Sequence, residues 1–155
     1  NEQLNKRKTE INAYKNSLIN KNLPPFSFRD INNKLWDLQT LKGKTIVLNF
    51  WFTNCDPCLR EIPFLNKIVE DNNSNNIVFI AISYSDKKSI IHSNHKFPFK
   101  YHLIPNQLKY ISQLQISEYP TSIIVNGSGL IKYVSVGFNE EIYKELKNAL
   151  KDLAN

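Results

Sequence analysis

The strongest constraint on this chain is an eight-residue run, Thr45 to Phe52 (TIVLNFWF), followed three residues later by the first of only two cysteines, Cys55 and Cys58. An almost continuous β-branched and aromatic run predicts a strand buried on both faces of a sheet. From Pro57 onward Cys58, Ile62, Leu65 and Val69 recur at steps of four, three and four, the stripe of a helix packed on that sheet, and Asn72 to Asn76 end it. Ile77 to Tyr84 is a second buried run. Strand, helix and strand in this order form a βαβ unit, with parallel strands and a right-handed crossover. The fold class is α/β.

The flanks add elements to this unit. Leu4, Ile11, Tyr14 and Leu18 stand at helix-like intervals, so residues 3 to 20 read as a short amphipathic helix. Pro24-Pro25 biases the chain to an extended path, and Phe26, Phe28 and Leu35-Trp36 flank the turn-rich Asp30-Ile31-Asn32-Asn33, a hairpin pattern. Ser85 to Asn94 reads as a helix with Asp86 near its start. Phe97, Phe99, Tyr101 and Leu103 alternate, which predicts an extra strand within Lys96 to Ile104, and a polar helical stretch follows to about Gln115. Thr121 to Val125 and Leu130 to Val136, joined by Asn126-Gly127-Ser128-Gly129, predict an antiparallel hairpin. Asn139 is expected to cap a last helix, with Glu140 and Glu141 in its first turn and Ile142, Leu146, Leu150 and Leu153 as its stripe.

At 155 residues, 41% of them hydrophobic and 22% charged, the chain suits one domain with a sizeable core. We divide it into a helical extension, residues 1–23, and a domain, residues 24–155. The longest apolar runs are far shorter than the roughly 20 residues of a membrane-spanning helix. The net charge of +6 invites a nucleic-acid reading, but no basic stripe interleaved with aromatics supports one. Half of that charge sits in residues 1–22, where Lys6, Arg7, Lys8, Lys15 and Lys21 face Glu2 and Glu10; the segment meets an anionic surface or solvates a helix. Met is absent, so the chain is expected to begin after a removed segment: a signal peptide, a lipid anchor or a tag. Four glycines form no phosphate-cradling loop, and no cofactor is expected.

The chemistry concentrates in Cys55-Asp56-Pro57-Cys58. The pair lies where the buried strand gives way to a helix, so the first sulfur sits beside unpaired backbone N–H groups and the positive end of the helix dipole. Both stabilise a thiolate, the nucleophile of disulfide exchange. Pro57 fits the first helical turn, where a missing N–H costs nothing, and stiffens the spacer. Two other readings stay open. A structural disulfide closing so small a loop would remove little chain entropy. A zinc site wants four ligands, and no second cysteine pair exists. His92 and His95 lack neighbouring carboxylates or cysteines, so no metal is expected there either.

The run Leu48 to Cys58, followed by Glu61 and Pro63, resembles the TlpA/ResA-like thioredoxins, extracytoplasmic membrane-associated thiol-disulfide oxidoreductases. The likeness extends over roughly residues 24 to 153. It takes in Pro25-Phe26-Ser27-Phe28, Leu41-Lys42-Gly43-Lys44 and Tyr119-Pro120-Thr121. Many members carry Trp immediately before the first cysteine; here it is Asn54. The resemblance implies a thioredoxin-like fold, a central mixed sheet flanked by helices, with an added N-terminal β-hairpin and helical extension. It also implies a cis bond before Pro120, the loop lying against the cysteine pair although 62 residues separate Pro120 from Cys58. Such a bond costs only about 0.5 to 1 kcal/mol over trans and would turn the Tyr119 backbone outward as an edge for substrate.

On this basis Cys55, Cys58 and Glu61 are expected to be catalytic, and Trp51, Asn54, Asp56, Pro57, Tyr119 and Pro120 to meet substrate. Glu61 follows Cys58 by three residues on nearly one helical face, where a carboxylate can exchange protons with a thiol. Asp56 would oppose ionisation of Cys55 by like charge. Of Trp51 and Phe52, one should pack inward and one point toward the site. The expected activity is disulfide reduction or exchange through a mixed disulfide on Cys55, resolved by Cys58. The rivals are a peroxiredoxin-like thiol peroxidase, whose pattern wants Thr three residues before the cysteine rather than the Thr53-Asn54 found here, and a non-enzymatic binding module. The resemblance implies protein disulfide or dithiol partners, an apocytochrome c among them, and an upstream membrane thiol-disulfide reductant. It also implies a periplasmic or cell-envelope location with a membrane tether before Asn1.

Overall fold

The long apolar run lies at the centre of the molecule. The structure, a computed structural model, describes residues 1–154. In chain order its elements are α1 (Glu2–Leu18), β1 (Ser27–Arg29), β2 (Leu35–Asp37), a 3-10 turn (Leu38–Leu41), β3 (Thr45–Trp51), α2 (Asp56–Glu70), β4 (Ile77–Ser83), α3 (Lys87–Lys96), β5 (His102–Ile104), α4 (Leu108–Gln113), β6 (Thr121–Val125), β7 (Ile131–Val136) and α5 (Ile142–Ala154). Five strands form one sheet in the order β5-β4-β3-β6-β7. β3 pairs in parallel with β4 and antiparallel with β6, so the sheet is mixed and β3 central. This is a thioredoxin-like α/β fold, with the β1–β2 hairpin as a separate two-stranded sheet.

Alternation along β3 divides the core in two. Ile46, Leu48 and Phe50 point into the layer that holds the hairpin residues Phe28 and Trp36. Val47 and Trp51 point into the opposite layer, with Ile62 and Leu65 of α2 and Leu146 of α5. Asn49 is the one strongly polar side chain buried in the strand, and its Nδ2 donates to Ser122 Oγ on β6 at 3.1 Å. That bond offsets the cost of burying the amide.

Three expectations need correction. The buried stripe of α2 runs through Cys58, Glu61, Ile62, Leu65 and Ile68, not Val69, which is half-buried. Glu61 and Ile68, seven apart, share a flank of the helix. The Asn139 turn leading into α5 meets Glu61 on that flank, while Val69 packs against the core only in part. The strand expected within Lys96 to Ile104 spans only His102–Ile104, although Phe99, Tyr101 and Leu103 do turn inward. Pro98 has no N–H, Phe99 N donates to Asn94 Oδ1 at 2.9 Å and Lys100 N to Asn66 Oδ1 at 2.7 Å, so these donors serve side chains rather than a ladder. Asn139 does not cap α5 directly. Its Oδ1 accepts from Glu141 N at 2.9 Å and its carbonyl from Ile142 N at 3.1 Å, forming a turn from which the helix starts at Ile142.

The segment after α1 meets β7 through an isolated bridge, Asn22 to Leu130. Asn20 N donates to Ile131 O at 2.7 Å and Leu23 N to Gly129 O at 2.9 Å, so residues 20–23 run along the outer edge of β7 and Leu23 enters the core. α1 itself buries no residue completely; Tyr14 and Leu18 pack on the core from outside and Leu4 is exposed. Among the described residues no helix is long and apolar enough to cross a membrane.

Candidate active site

β3 ends at Trp51, and the chain turns through Thr53 and Asn54 into α2. Cys55 is the residue that caps this helix, and its Sγ accepts the backbone N–H of Cys58 at 3.2 Å. Cys55 N donates to Phe52 O at 3.2 Å, and Thr53 N to Ser85 Oγ at 3.2 Å, which ties the corner to the loop after β4. Pro57 occupies the first turn, where its missing N–H leaves no gap in the ladder. The two cysteines are joined as a disulfide, with Cα atoms 5.2 Å apart. Both cysteines are buried, Cys55 at 4% and Cys58 at 2% exposed.

Glu61, one turn below Cys58, is 1% exposed. Burial raises its carboxyl to about 8; the Asn139 N–H, donating to Oε2 at 3.3 Å, works against that rise and the Glu145 charge adds to it. A carboxyl of this kind changes protonation near pH 8, close to neutral. Asp56 and Asn54 are exposed at the rim, with Pro57 half-buried between the cysteines.

The Tyr119–Pro120 peptide bond is cis. Tyr119 packs against the core layer that contains both cysteines, and Pro120 O accepts Gly137 N at 2.7 Å. Trp51, expected to contact substrate, does not reach the surface: it is 1% exposed, edge-on to Phe99 at 5.4 Å. Strand alternation turns it into the α2 layer, and Phe52 is the ring at the site. Phe52 stacks with Tyr84 at 5.2 Å and meets Tyr119 edge-on at 5.3 Å, while Tyr84 and Tyr119 lie 5.9 Å apart.

Sequence reading passed over this platform of three rings, yet its signal lies in the strand registers. β3 pairs Trp51 with Ser83 in parallel and Phe50 with Thr121 antiparallel. Continuing both ladders past the end of β3 puts Phe52 beside Tyr84 on one side and Tyr119 on the other. His92 and His95 join no metal-ligating cluster; among the described residues no group of three or more His, Cys, Asp or Glu is placed to hold an ion.

The sequence profile of the Redoxin family matches residues 19–153. The chain belongs to the Redoxin family. The thiol-disulfide oxidoreductase ResA of Bacillus anthracis is 30% identical over 141 residues, 87% of this chain and 78% of that one. ResA of Bacillus subtilis (strain 168) is 28% identical over 134 residues, 83% and 73% of the two chains. The crystal structure of a thiol:disulfide interchange protein of the thioredoxin family from Chlorobium tepidum TLS matches with a TM-score of 0.75 at 22% identity over 87% of this chain and 97% of that one, a likeness of fold. With these relatives and its Cys55–Cys58 pair, this Redoxin-family chain is an oxidoreductase of the thiol-disulfide class.

Proposed function

We propose that the protein reduces disulfides of partner proteins, with Cys55 as the attacking thiolate. The Cys55 sulfur attacks one sulfur of the partner disulfide, forming a mixed disulfide and releasing the other partner sulfur as a thiolate. Cys58, losing its proton to Glu61, then attacks Cys55, leaving the partner a dithiol and this chain the Cys55–Cys58 disulfide. Two electrons pass from chain to partner, and the reverse sequence oxidises a dithiol. The observation that carries this reading is the bond from Cys58 N–H to Cys55 Sγ at the start of α2, which favours negative charge on that sulfur. Like-charge repulsion from Asp56 opposes it and keeps the nucleophile less acidic than that of a strong oxidant.

Tyr119 and Pro120 offer the edge on which the partner segment lies, with Asn54, Asp56 and Pro57 on the other side of the sulfur. The resemblance to TlpA/ResA-like proteins supports a periplasmic or cell-envelope location, an upstream membrane thiol-disulfide reductant, and an apocytochrome c among the partners. Replacing Cys55→Ser is expected to abolish insulin disulfide reduction, and Cys58→Ser to accumulate a mixed disulfide on Cys55 whose partner mass spectrometry identifies. Full reductase activity in Cys55→Ser would refute the mechanism. Consumption of peroxide at a comparable rate would favour the peroxidase reading instead.

A further inference from the structure

Lys88, His92 and Lys96 recur every four residues of α3, so they share one face of that helix. All three are exposed, and all three line a groove of about 570 Å³ whose facing wall is Asn54, Asp56 and Leu59, the residues on either side of the cysteine pair's first turn. The groove runs down between α2 and α3 from the Cys55 corner. Further along the two helices, Asn66 of α2 bonds the segment after α3: its Nδ2 donates to Pro98 O at 2.8 Å and its Oδ1 accepts Lys100 N at 2.7 Å.

The charge in this groove is unbalanced. Asp56 is the one carboxylate in its lining, and it stands next to Cys55 at the upper end. α3 carries no acid between Lys87 and Lys96. The two ion pairs among the described residues join Arg7 to Glu118 and Lys100 to Glu70, so neither Lys88 nor Lys96 forms one; the Asp86 carboxylate at the start of α3 offsets part of the Lys88 charge, and Lys96 Nζ lies 5.6 Å over the Phe97 ring. Eight residues of helix place those lysines about 12 Å apart, the length of about four residues of extended chain.

We infer that this groove selects the partner: it takes an acidic, extended stretch of the substrate polypeptide a few residues away from the cysteine that Cys55 attacks. The inference rests on the oxidoreductase reading above and adds a preference to it. The cysteine itself lies beside Asp56, so acids immediately next to it gain nothing, whereas acids further along reach Lys88 and Lys96. Rim charges of this kind are solvent-screened and contribute selectivity more than affinity.

The test compares two disulfide-linked peptides identical except for a stretch of Glu or of Lys about three to six residues from the cysteine, roughly the span of the groove. Wild type should reduce the acidic peptide with a kcat/KM about three- to tenfold higher, the range expected of two rim pairs. Raising the salt from about 0.05 M to about 0.5 M should erase most of that ratio. The double variant Lys88→Glu, Lys96→Glu, its fold checked by circular dichroism, should invert it. Equal rates on the two peptides, or a ratio that survives both salt and charge reversal, overturns the inference. Wild-type turnover of hydroxyethyl disulfide, a neutral substrate with no chain to lay in the groove, separates the two readings. If that turnover is absent the oxidoreductase reading falls; if it is present while the peptides are reduced equally, only the groove inference falls.

Discussion

The backbone N–H of Asn139 donates to Oε2 of Glu61 at 3.3 Å, joining the turn before α5 to the helix that carries the cysteines. Among the described residues it is the one hydrogen bond the buried carboxyl receives. It does not offset burial, and the carboxyl is half ionised only near pH 8, so at neutral pH the carboxylate that can accept a proton is the minor form.

A pH dependence follows, with a definite sign. Glu61 titrates higher in the fold than in the unfolded chain, so its neutral form favours folding at low pH. That contribution declines as pH rises from the ordinary carboxyl range through about 8. The loss is on the order of a few kcal/mol. Urea titrations at pH 5 and pH 8.5 should show wild type losing stability and Glu61→Gln losing less. An unchanged decline in the variant would assign the effect elsewhere. If Glu61 accepts the Cys58 proton, the same variant also slows resolution of the mixed disulfide in stopped-flow measurements.

Asp30 runs the opposite way. It is 5% exposed, and it accepts from Trp36 Nε1 at 2.9 Å, Asn32 N at 2.8 Å and Lys34 N at 3.0 Å. Burial alone would push its carboxyl up, yet these bonds outweigh it and hold the value below the usual range. The hairpin's stability is therefore present above the ordinary Asp value and lost as pH falls below it. Asp30→Ala should cost about 2 to 4 kcal/mol, since the buried Trp36 N–H is left unpaired, and thermal melts followed by tryptophan fluorescence measure it.

Phe52→Ala removes the middle ring of the platform. We expect kcat/KM toward a protein disulfide to fall about three- to tenfold, carried mainly by KM, as for loss of an aromatic contact at an interface. Steady-state kinetics on insulin decide it; a fall confined to kcat would point to a disturbed cysteine corner instead.

Gly127→Ala tests the close approach of two turns. A Cβ there would lie 3.0 Å from both the carbonyl carbon and the oxygen of Gly43, whose N–H donates to Gly127 O at 2.9 Å. Backbone must shift, and the expected cost is about 1 to 3 kcal/mol. Gly129→Ala meets no atom within 4 Å but has φ of +85°, so its cost of about 1 to 2 kcal/mol comes from the left-handed backbone alone. Chemical denaturation of the two variants checks both figures.

Much of this was legible in residue order. The run from Thr45 becomes the central strand, and the turn residues Asn126 to Gly129 do join antiparallel strands. The shortened β5 was less legible, because Asn66 and Asn94 take its backbone donors from a distance or across a turn. Ile68 replaced Val69 in the stripe for a similar reason: helical spacing admits either, and contact with a second element decides.

The sequence by itself determined the local chemistry, two sulfurs three residues apart at a strand-to-helix corner, because that arrangement depends on neighbours along the chain. Only the tertiary structure decided that Trp51 is fully core and Phe52 half-buried, that Glu61 is sealed against the Asn139 turn, and that three rings from three strand ends meet. Those outcomes depend on register and on which helix covers which flank, and such non-local contacts form only when distant segments pack together.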